Sequence, residues 1–381
     1  MASICLVAGD PSGDAHAAHL VRALRQRDPT LTCAALGGQH LADAGAELLD
    51  ELTRAAAIGP FDAARHLTRL VQARTRLARH LREHRPDAVV LVDFGDFNLP
   101  VIAPLAKRAG CRVIYFISPQ IWAWGRSRLR WVQRYVDRML VLFRFEEEFY
   151  RQANVPVTWV GHPLVDSATP SVPAAHARQE LGLNPARMTV GLLPGSRAQE
   201  IARHLPILLA AARQVTRHMP GVQFLLPKAP QAPERAFGQT AGQLDLSLVT
   251  CQNRIYDCWP LMDAAIVASG TATLEGAIFG VPMAVVYRTS LATFLAAKAV
   301  VRVPHIAMVN LIAGQAVVPE FIQYEASSSR IAAAVIELLR DAKRREAVVR
   351  QLALVKERLG PPGAIDRAAG AVLSELDRKP E

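Results

Sequence analysis

The chain has 381 residues, of which 51% are hydrophobic and 20% charged, enough apolar material for two full cores and too much for a disordered protein. Lys and Arg outnumber Asp and Glu by 44 to 34, a formal charge of +10, so a negatively charged partner is expected, either an anionic membrane surface or nucleic acid. No run reaches the ~18 to 20 uncharged apolar residues of a membrane span, and the five cysteines (Cys5, Cys33, Cys111, Cys251 and Cys258) are scattered without a C-x-x-C pair, which argues against disulfides and structural zinc.

In chain order, the run Ile4–Ala8 has no basic segment before it and reads as a first β-strand, not a signal peptide. Further apolar runs follow at Cys33–Leu36, Ala88–Val92, Arg112–Ile117, Met139–Phe143 and Val157–Val160, separated by helix-like stretches such as Ala15–Arg27 and Leu99–Ala109. Short, wholly apolar strands alternating with amphipathic helices imply a parallel sheet covered on both faces.

Between the second and third runs, residues 63–82 contain no acid, while Arg65, Arg69, Arg74, Arg76, Arg79 and Arg82 all occur. Leu67, Leu70, Val71, Ala78 and Leu81 recur there at helical spacing, and Ile58 and Phe61 precede them. Two readings stand: a helix lying in a bilayer interface with Ile58, Phe61, Arg65 and Arg69 in contact, or a core-packing helix with a solvated basic face. The aromatic interleaving of single-strand nucleic-acid platforms is absent, so nucleic acid is not the expected partner.

A linker-like stretch at 165–175 ends the first domain, taken as residues 1–165. The pattern restarts with strands at Thr189–Leu193, Val222–Leu226, Leu246–Val249, Ala264–Val267 and Met283–Tyr287, and with helices such as Ile201–His218 and Thr271–Phe279. This second domain is taken as residues 176–345. A helical tail, 346–381, is expected to pack back toward the first domain. The fold class is α/β: two Rossmann-like parallel-sheet domains facing a cleft, with ligands at the C-terminal ends of the strands.

Two glycine-centred turns in the second domain carry the chemistry. Pro194-Gly195-Ser196-Arg197 and Ser269-Gly270-Thr271-Ala272-Thr273-Leu274-Glu275 each follow a strand and open a helix. Glycine permits close backbone approach, the helix start offers free N–H groups to an anion, and Arg197 offers a planar fork to phosphate oxygens. Glu275 in the first helical turn suits a sugar diol. Alone, each turn is equally well a structural connection; as a pair they describe a nucleotide-diphosphate pocket. Neither is a Walker A loop or a dinucleotide fingerprint.

The order and spacing of the remaining motifs identify a family. Ala8-Gly9-Asp10-Pro11-Ser12-Gly13-Asp14, Val92-Asp93-Phe94-Gly95-Asp96-Phe97-Asn98, Ser118-Pro119-Gln120-Ile121-Trp122-Ala123-Trp124, Gly161-His162-Pro163, the two turns, and Asn310-Leu311-Ile312-Ala313-Gly314 with Pro319-Glu320 resemble, end to end, the lipid-A-disaccharide synthases, glycosyltransferases of GT-B type. The resemblance implies an inverting transfer of 2,3-diacylglucosamine from UDP to 2,3-diacylglucosamine 1-phosphate (lipid X) at the cytoplasmic face of a Gram-negative inner membrane. It implies no cofactor and no metal, and a homodimer is compatible with it.

Asp93, ending an apolar strand, is then the expected base, with Asp96 the alternative and helix capping the plain role for either. Gly195, Ser196 and Arg197 are expected on the diphosphate, with Ser269, Gly270 and Thr271 beside it, Glu275 on the ribose, and Asn310 closing the uracil or sugar end. Glu200 would orient Arg197 or face solvent. In the first loop Gly13 allows close approach of a ligand, and Ser12 and Asp14 bind sugar hydroxyls or cap the helix. Of Trp122 and Trp124, one is expected in the site and one in the core. His162 is read equally as a hinge residue or a substrate contact, and Arg126, Arg128 and Arg130 suit phosphate. In one respect the sequence departs from the family pattern: alanines, Pro60 and Asp62 dilute the apolar stretch at 55–71. The rival readings are another GT-B enzyme of UDP-N-acetylglucosamine, either a peptidoglycan-type transferase or a 2-epimerase, and a non-catalytic basic membrane-binding protein.

Overall fold

The computed structural model describes residues 2–53, 63–123, 125–229, 232, 237, 246–300 and 303–378. They form two compact units, Met1–Pro163 with Leu359–Glu381, and Leu164–Arg358.

The first unit is built on a seven-stranded parallel sheet of order β3-β2-β1-β4-β5-β6-β7. Its strands are β1 (Ser3–Ala8), β2 (Thr32–Gly37), β3 (Glu47–Glu51), β4 (Ala88–Val92), β5 (Arg112–Phe116), β6 (Arg138–Val141) and β7 (Val157–Trp159). The central strands are buried along nearly their whole length, which is why they read as unbroken apolar runs. Cys5, Val7, Leu36, Leu91, Val113 and Tyr115 form the centre of one core layer. The final helix, Ala364–Leu376, returns to this unit and packs on the helix Pro11–Arg27. Its Glu375, 2% exposed, is held by Arg112 (3.1 Å) and Arg138 (2.9 Å).

The second unit carries a six-stranded parallel sheet of order β10-β9-β8-β11-β12-β13. These are β8 (Thr189–Leu193), β9 (Gln223–Lys228), β10 (Leu248–Gln252), β11 (Ala264–Ala268), β12 (Met283–Tyr287) and β13 (Glu320–Ile322). The helices Ala198–His218 and Ser328–Arg340 pack together over its core of Val190, Leu192, Phe224, Ile266 and Val286. The helix Ala342–Arg358, grouped with the tail in the sequence reading, packs here against the helix Ala272–Phe279.

Three local differences from the sequence reading have physical causes. The first helix starts at Pro11, not near Ala15: Asp10 caps it by accepting from Gly13 N at 2.6 Å, and Pro11 suits the first turn because it has no N–H to satisfy. The stretch expected as one helix at Leu99–Ala109 is a π-helical turn at Asn98–Ile102 and a helix at Ala103–Arg108, preceded by a single helical turn at Gly95–Phe97. Pro104 has no N–H for the carbonyl of Pro100, and a wide turn accommodates the gap. Edge strands β3 and β13 were not expected, because one carries three acids and the other only two apolar residues, so neither reads as an apolar run.

Candidate active site

Each sheet reverses its strand order at one point, between β1 and β4 in the first unit and between β8 and β11 in the second. At such a point adjacent strands send their connections to opposite faces, leaving a crevice at the C-terminal ends. The motifs of the sequence reading lie at these two points: the Gly9–Asp14 loop after β1 and the Asp93–Asn98 turn after β4, then the Gly195 turn after β8 and the Gly270 turn after β11.

In the first unit the β4 turn is strained. Asp93 (φ 47°) and Phe94 (φ 49°) are both in the left-handed region, and Ile117 at the end of β5 is there too (φ 64°). For a β-branched residue this is a true outlier, and such strain gathers at functional sites. It is held in place by the Tyr115 hydroxyl (2.5 Å) and the Asn98 amide (2.9 Å), both donating to the Asp93 carbonyl. Gly9 makes room for the Phe94 ring, since a Cβ there would stand 2.1 Å from it.

A cavity of about 320 Å³ opens over this turn, lined by Asp10, Asp93, Asp96, Ser118, Trp122, Arg128 and Glu146, among others. Burial, and then the like charge of Asp10, push the Asp93 carboxyl up to about 6. Burial likewise pushes Glu146 up to about 7, against hydrogen bonds from Phe143 N and the Trp122 indole. Asp96 is exposed and paired with Arg128.

The first loop is firmly knit. Asp14, 2% exposed, accepts from Gly38 N (2.7 Å) and His40 N (3.0 Å), so its carboxylate ties the first helix to the loop after β2. Gly13 is buried beneath Asp10, and Ser12 is exposed in the first helical turn. Trp122 is half-buried on the cavity wall. Trp124, Ile58 and Phe61 lie outside the described residues. Arg65 and Arg69 belong to the helix Ala63–His84, on which Arg69, Leu67 and Val71 are exposed. His162 is buried beside Phe143, and burial lowers its pKa to about 3, so the ring is neutral.

In the second unit Gly195 takes a left-handed φ of 113°, and Arg197 extends into solvent, 84% exposed. The N–H groups of Ser196 and Arg197 are not empty: Glu200 Oε2 accepts from both, at 3.3 and 3.4 Å, and its other oxygen lies 3.7 Å from the Arg197 guanidinium. Across the turn, buried His204 meets the Pro194 carbonyl through Nδ1 (2.9 Å) and accepts Arg288 N at Nε2 (2.9 Å). That pairing requires the neutral tautomer with its proton on Nδ1, and it ties the β8 turn to the end of β12.

Gly270 and Thr271 are exposed, while Ser269 donates to the Ile306 carbonyl (3.3 Å). Glu275 accepts from the Trp259 indole at 3.2 Å, and burial raises its pKa. Asn310 is wholly buried: its amide donates to Val318 O and Glu320 Oε1, both at 2.8 Å, and its oxygen accepts Val317 N and Val318 N. With all of its polar capacity spent there, Asn310 holds the segment 317–320 in place.

Asp10, Glu146, His204, Glu320 and Trp259 were not singled out as site residues from sequence. Asp10 had a readable signal, an Asp-Pro step at a strand end. His204 sits inside a long helix and Glu146 in the run Glu146-Glu147-Glu148, with nothing local to mark either. The structure also brings Cys251 and Cys258 together, as free buried thiols 2.9 Å apart. Among the described residues, no three His, Cys, Asp or Glu side chains are grouped to hold a metal ion.

A family model described as lipid-A-disaccharide synthetase matches residues 4–362. The lipid-A-disaccharide synthase of Geobacter metallireducens is 41% identical over 376 residues, covering 99% of this chain and 98% of the relative. Among solved structures, the glycotransferase of kitacinnamycin superposes with a TM-score of 0.65 at 17% identity, over 98% of this chain and 99% of that one. A UDP-GlcNAc 2-epimerase from Neisseria meningitidis, solved with UDP-GlcNAc, gives 0.64 at 12% identity, over 98% and 100%. These structures share the GT-B architecture with the 2-epimerase reading as much as with the transferase reading, whereas the full-length relative and the family model separate the two. The chain belongs to the lipid-A-disaccharide synthase family.

Proposed function

We propose that the enzyme transfers 2,3-diacylglucosamine from its UDP derivative to the 6-hydroxyl of 2,3-diacylglucosamine 1-phosphate, giving a β-1,6-linked disaccharide and UDP. The observation that carries this reading is the family match over residues 4–362. The acceptor occupies the cavity over the β4 turn and the UDP group lies on the two turns of the second unit.

Asp93 removes the proton from the acceptor hydroxyl as that oxygen bonds to the anomeric carbon and the bond to the diphosphate breaks. A carboxyl held near 6 is ionised at neutral pH yet more basic than an ordinary aspartate, which suits a general base. The departing diphosphate gains negative charge. Arg197 and the N–H groups at the start of the helix Ala198–His218 stabilise it, so no metal is required. For the diphosphate to reach those N–H groups, Glu200 turns away from them. Inversion follows from a single displacement.

Both substrates carry acyl chains and are reached from a bilayer. We assign this contact to the basic helix Ala63–His84, whose exposed Leu67 and Val71 stand among arginines. Among the described residues no helix is long and apolar enough to cross a membrane, and the proposed attachment is peripheral, on the cytoplasmic face of the inner membrane.

The donor tests the reading. UDP-2,3-diacylglucosamine should be turned over with lipid X, and unacylated UDP-N-acetylglucosamine should be a poor substitute. Efficient turnover of the unacylated sugar would assign the chain to a different UDP-sugar reaction.

A further inference from the structure

The cavity of the first unit holds a second buried carboxylate that the transfer step does not use. Glu146 is 3% exposed, at the start of the helix Arg144–Gln152 that follows β6. Its Oε2 accepts the N–H groups of Leu142 and Phe143, both at 3.2 Å, and its Oε1 accepts the indole N–H of Trp122 at 3.2 Å. All three of these partners are donors, and with the Ser118 hydroxyl as a further partner they favour the carboxylate against the burial that opposes it. Isolating a charge in this way is costly unless its hydrogen bonds are complete, and the indole supplies one of them.

Trp122 is in turn fixed from one other side. Its ring meets Phe145 edge-on at 4.8 Å, and Phe145 stacks on Phe143 at 5.4 Å. Glu146 therefore joins three things: the end of β6, the aromatic shelf of Phe143 and Phe145, and the half-buried indole on the cavity wall. The apolar C–H face of a pyranose ring packs well on an indole, provided the indole keeps one orientation.

We propose that Glu146 is a positioning residue that locks the Trp122 indole as the surface on which the acceptor's sugar ring stacks. This rests on the assignment of the cavity to the acceptor. Glu146 touches neither the anomeric carbon nor the diphosphate, so its loss weakens acceptor binding and spares both the chemical step and the donor.

The test is steady-state kinetics on Glu146→Gln, Trp122→Phe, the double variant and Trp122→Ala, varying lipid X and UDP-2,3-diacylglucosamine separately. A glutamine keeps the volume but turns one acceptor into an NH₂ donor that faces another donor. Glu146→Gln should raise the KM for lipid X about ten- to a hundredfold, the scale of one lost charge-assisted hydrogen bond, with kcat and the donor KM within about twofold of wild type. Trp122→Phe keeps a ring but loses the N–H, and should raise the same KM. The double variant should be no worse than the poorer single variant, because both act through one contact. An unchanged lipid X KM in Glu146→Gln, equal effects on donor and acceptor, or additive effects in the double variant would each overturn the proposal. If Glu146→Gln gives no cooperative thermal melt, Trp122→Phe decides alone, and an unchanged lipid X KM there overturns it. If Trp122→Ala also leaves that KM unmoved, the cavity is not the acceptor site and the underlying assignment fails as well.

Discussion

Burial and the neighbouring Asp10 carboxylate both raise the proton affinity of Asp93, and two consequences follow at the scale of single residues. The base works only when ionised, so kcat/KM should fall as pH drops through about 6. Asp10→Asn removes one of the two causes and should move that acid limb to lower pH; a limb that stays in place would show that Asp10 does not act on Asp93. The second consequence concerns stability. The folded-state pKa of Asp93 lies above its ordinary value of 3.8, so the native form binds this proton more tightly than the unfolded chain. The group therefore subtracts stability as pH rises from about 4 to about 6. Asp93→Asn should raise the thermal midpoint at pH 8 by an amount worth about 1–2 kcal/mol while nearly abolishing transfer, because asparagine also tolerates the left-handed backbone. A lower midpoint would mean that the carboxylate is structural.

At the scale of elements, the start of the helix Ala198–His218 is shared between a cap and a ligand. Glu200 accepts the N–H groups of Ser196 and Arg197, the same groups that a diphosphate would use. Glu200→Ala should therefore tighten UDP binding by about three- to tenfold, with a loss of about 0.5–1 kcal/mol in stability from the missing cap. Weaker binding, read by calorimetry, would show instead that Glu200 is needed to orient Arg197. The helix Ala63–His84 makes a separate claim. Changing Leu67, Arg69 and Val71 to serine should weaken binding to anionic vesicles at low salt and leave the KM for soluble UDP-sugar analogues unchanged. Equal vesicle binding would place the contact elsewhere. The last helix is anchored by a nearly buried carboxylate among three arginines, Arg112, Arg138 and Arg378, so Glu375→Ala should cost about 3–5 kcal/mol of stability, seen as a lower chemical-denaturation midpoint.

At the scale of the whole molecule, the central strands were legible in sequence because both of their faces are covered and their residues form unbroken apolar runs. Edge strands β3 and β13 were not, since Glu47–Glu51 carries three acids and Glu320–Ile322 only two apolar residues, so neither forms an apolar run. The helical tail taken as 346–381, interrupted by Gly360-Pro361-Pro362-Gly363, divides between the units at Leu359, because a helical pattern states that a segment is amphipathic and not which core receives it. The candidate site follows the same rule. The Gly195 and Asp93 turns were legible as turns, because each follows an apolar strand and carries a glycine or an aspartate at the strand end. Glu146 and His204 were not legible, because their partners are distant in sequence: Trp122 for one, Arg288 for the other. What unites the two units is that each places its recognisable motifs at the point where its sheet reverses order. The central claim, a metal-independent transfer with Asp93 as base, is tested most directly by disaccharide formation from UDP-2,3-diacylglucosamine and lipid X in the presence of a chelator, comparing wild type with Asp93→Asn and Asp96→Asn. The account predicts full activity in wild type, a loss of about 10²-fold or more in Asp93→Asn and a smaller loss in Asp96→Asn. Equal rates for wild type and Asp93→Asn, or a rate that vanishes with the chelator, would contradict it.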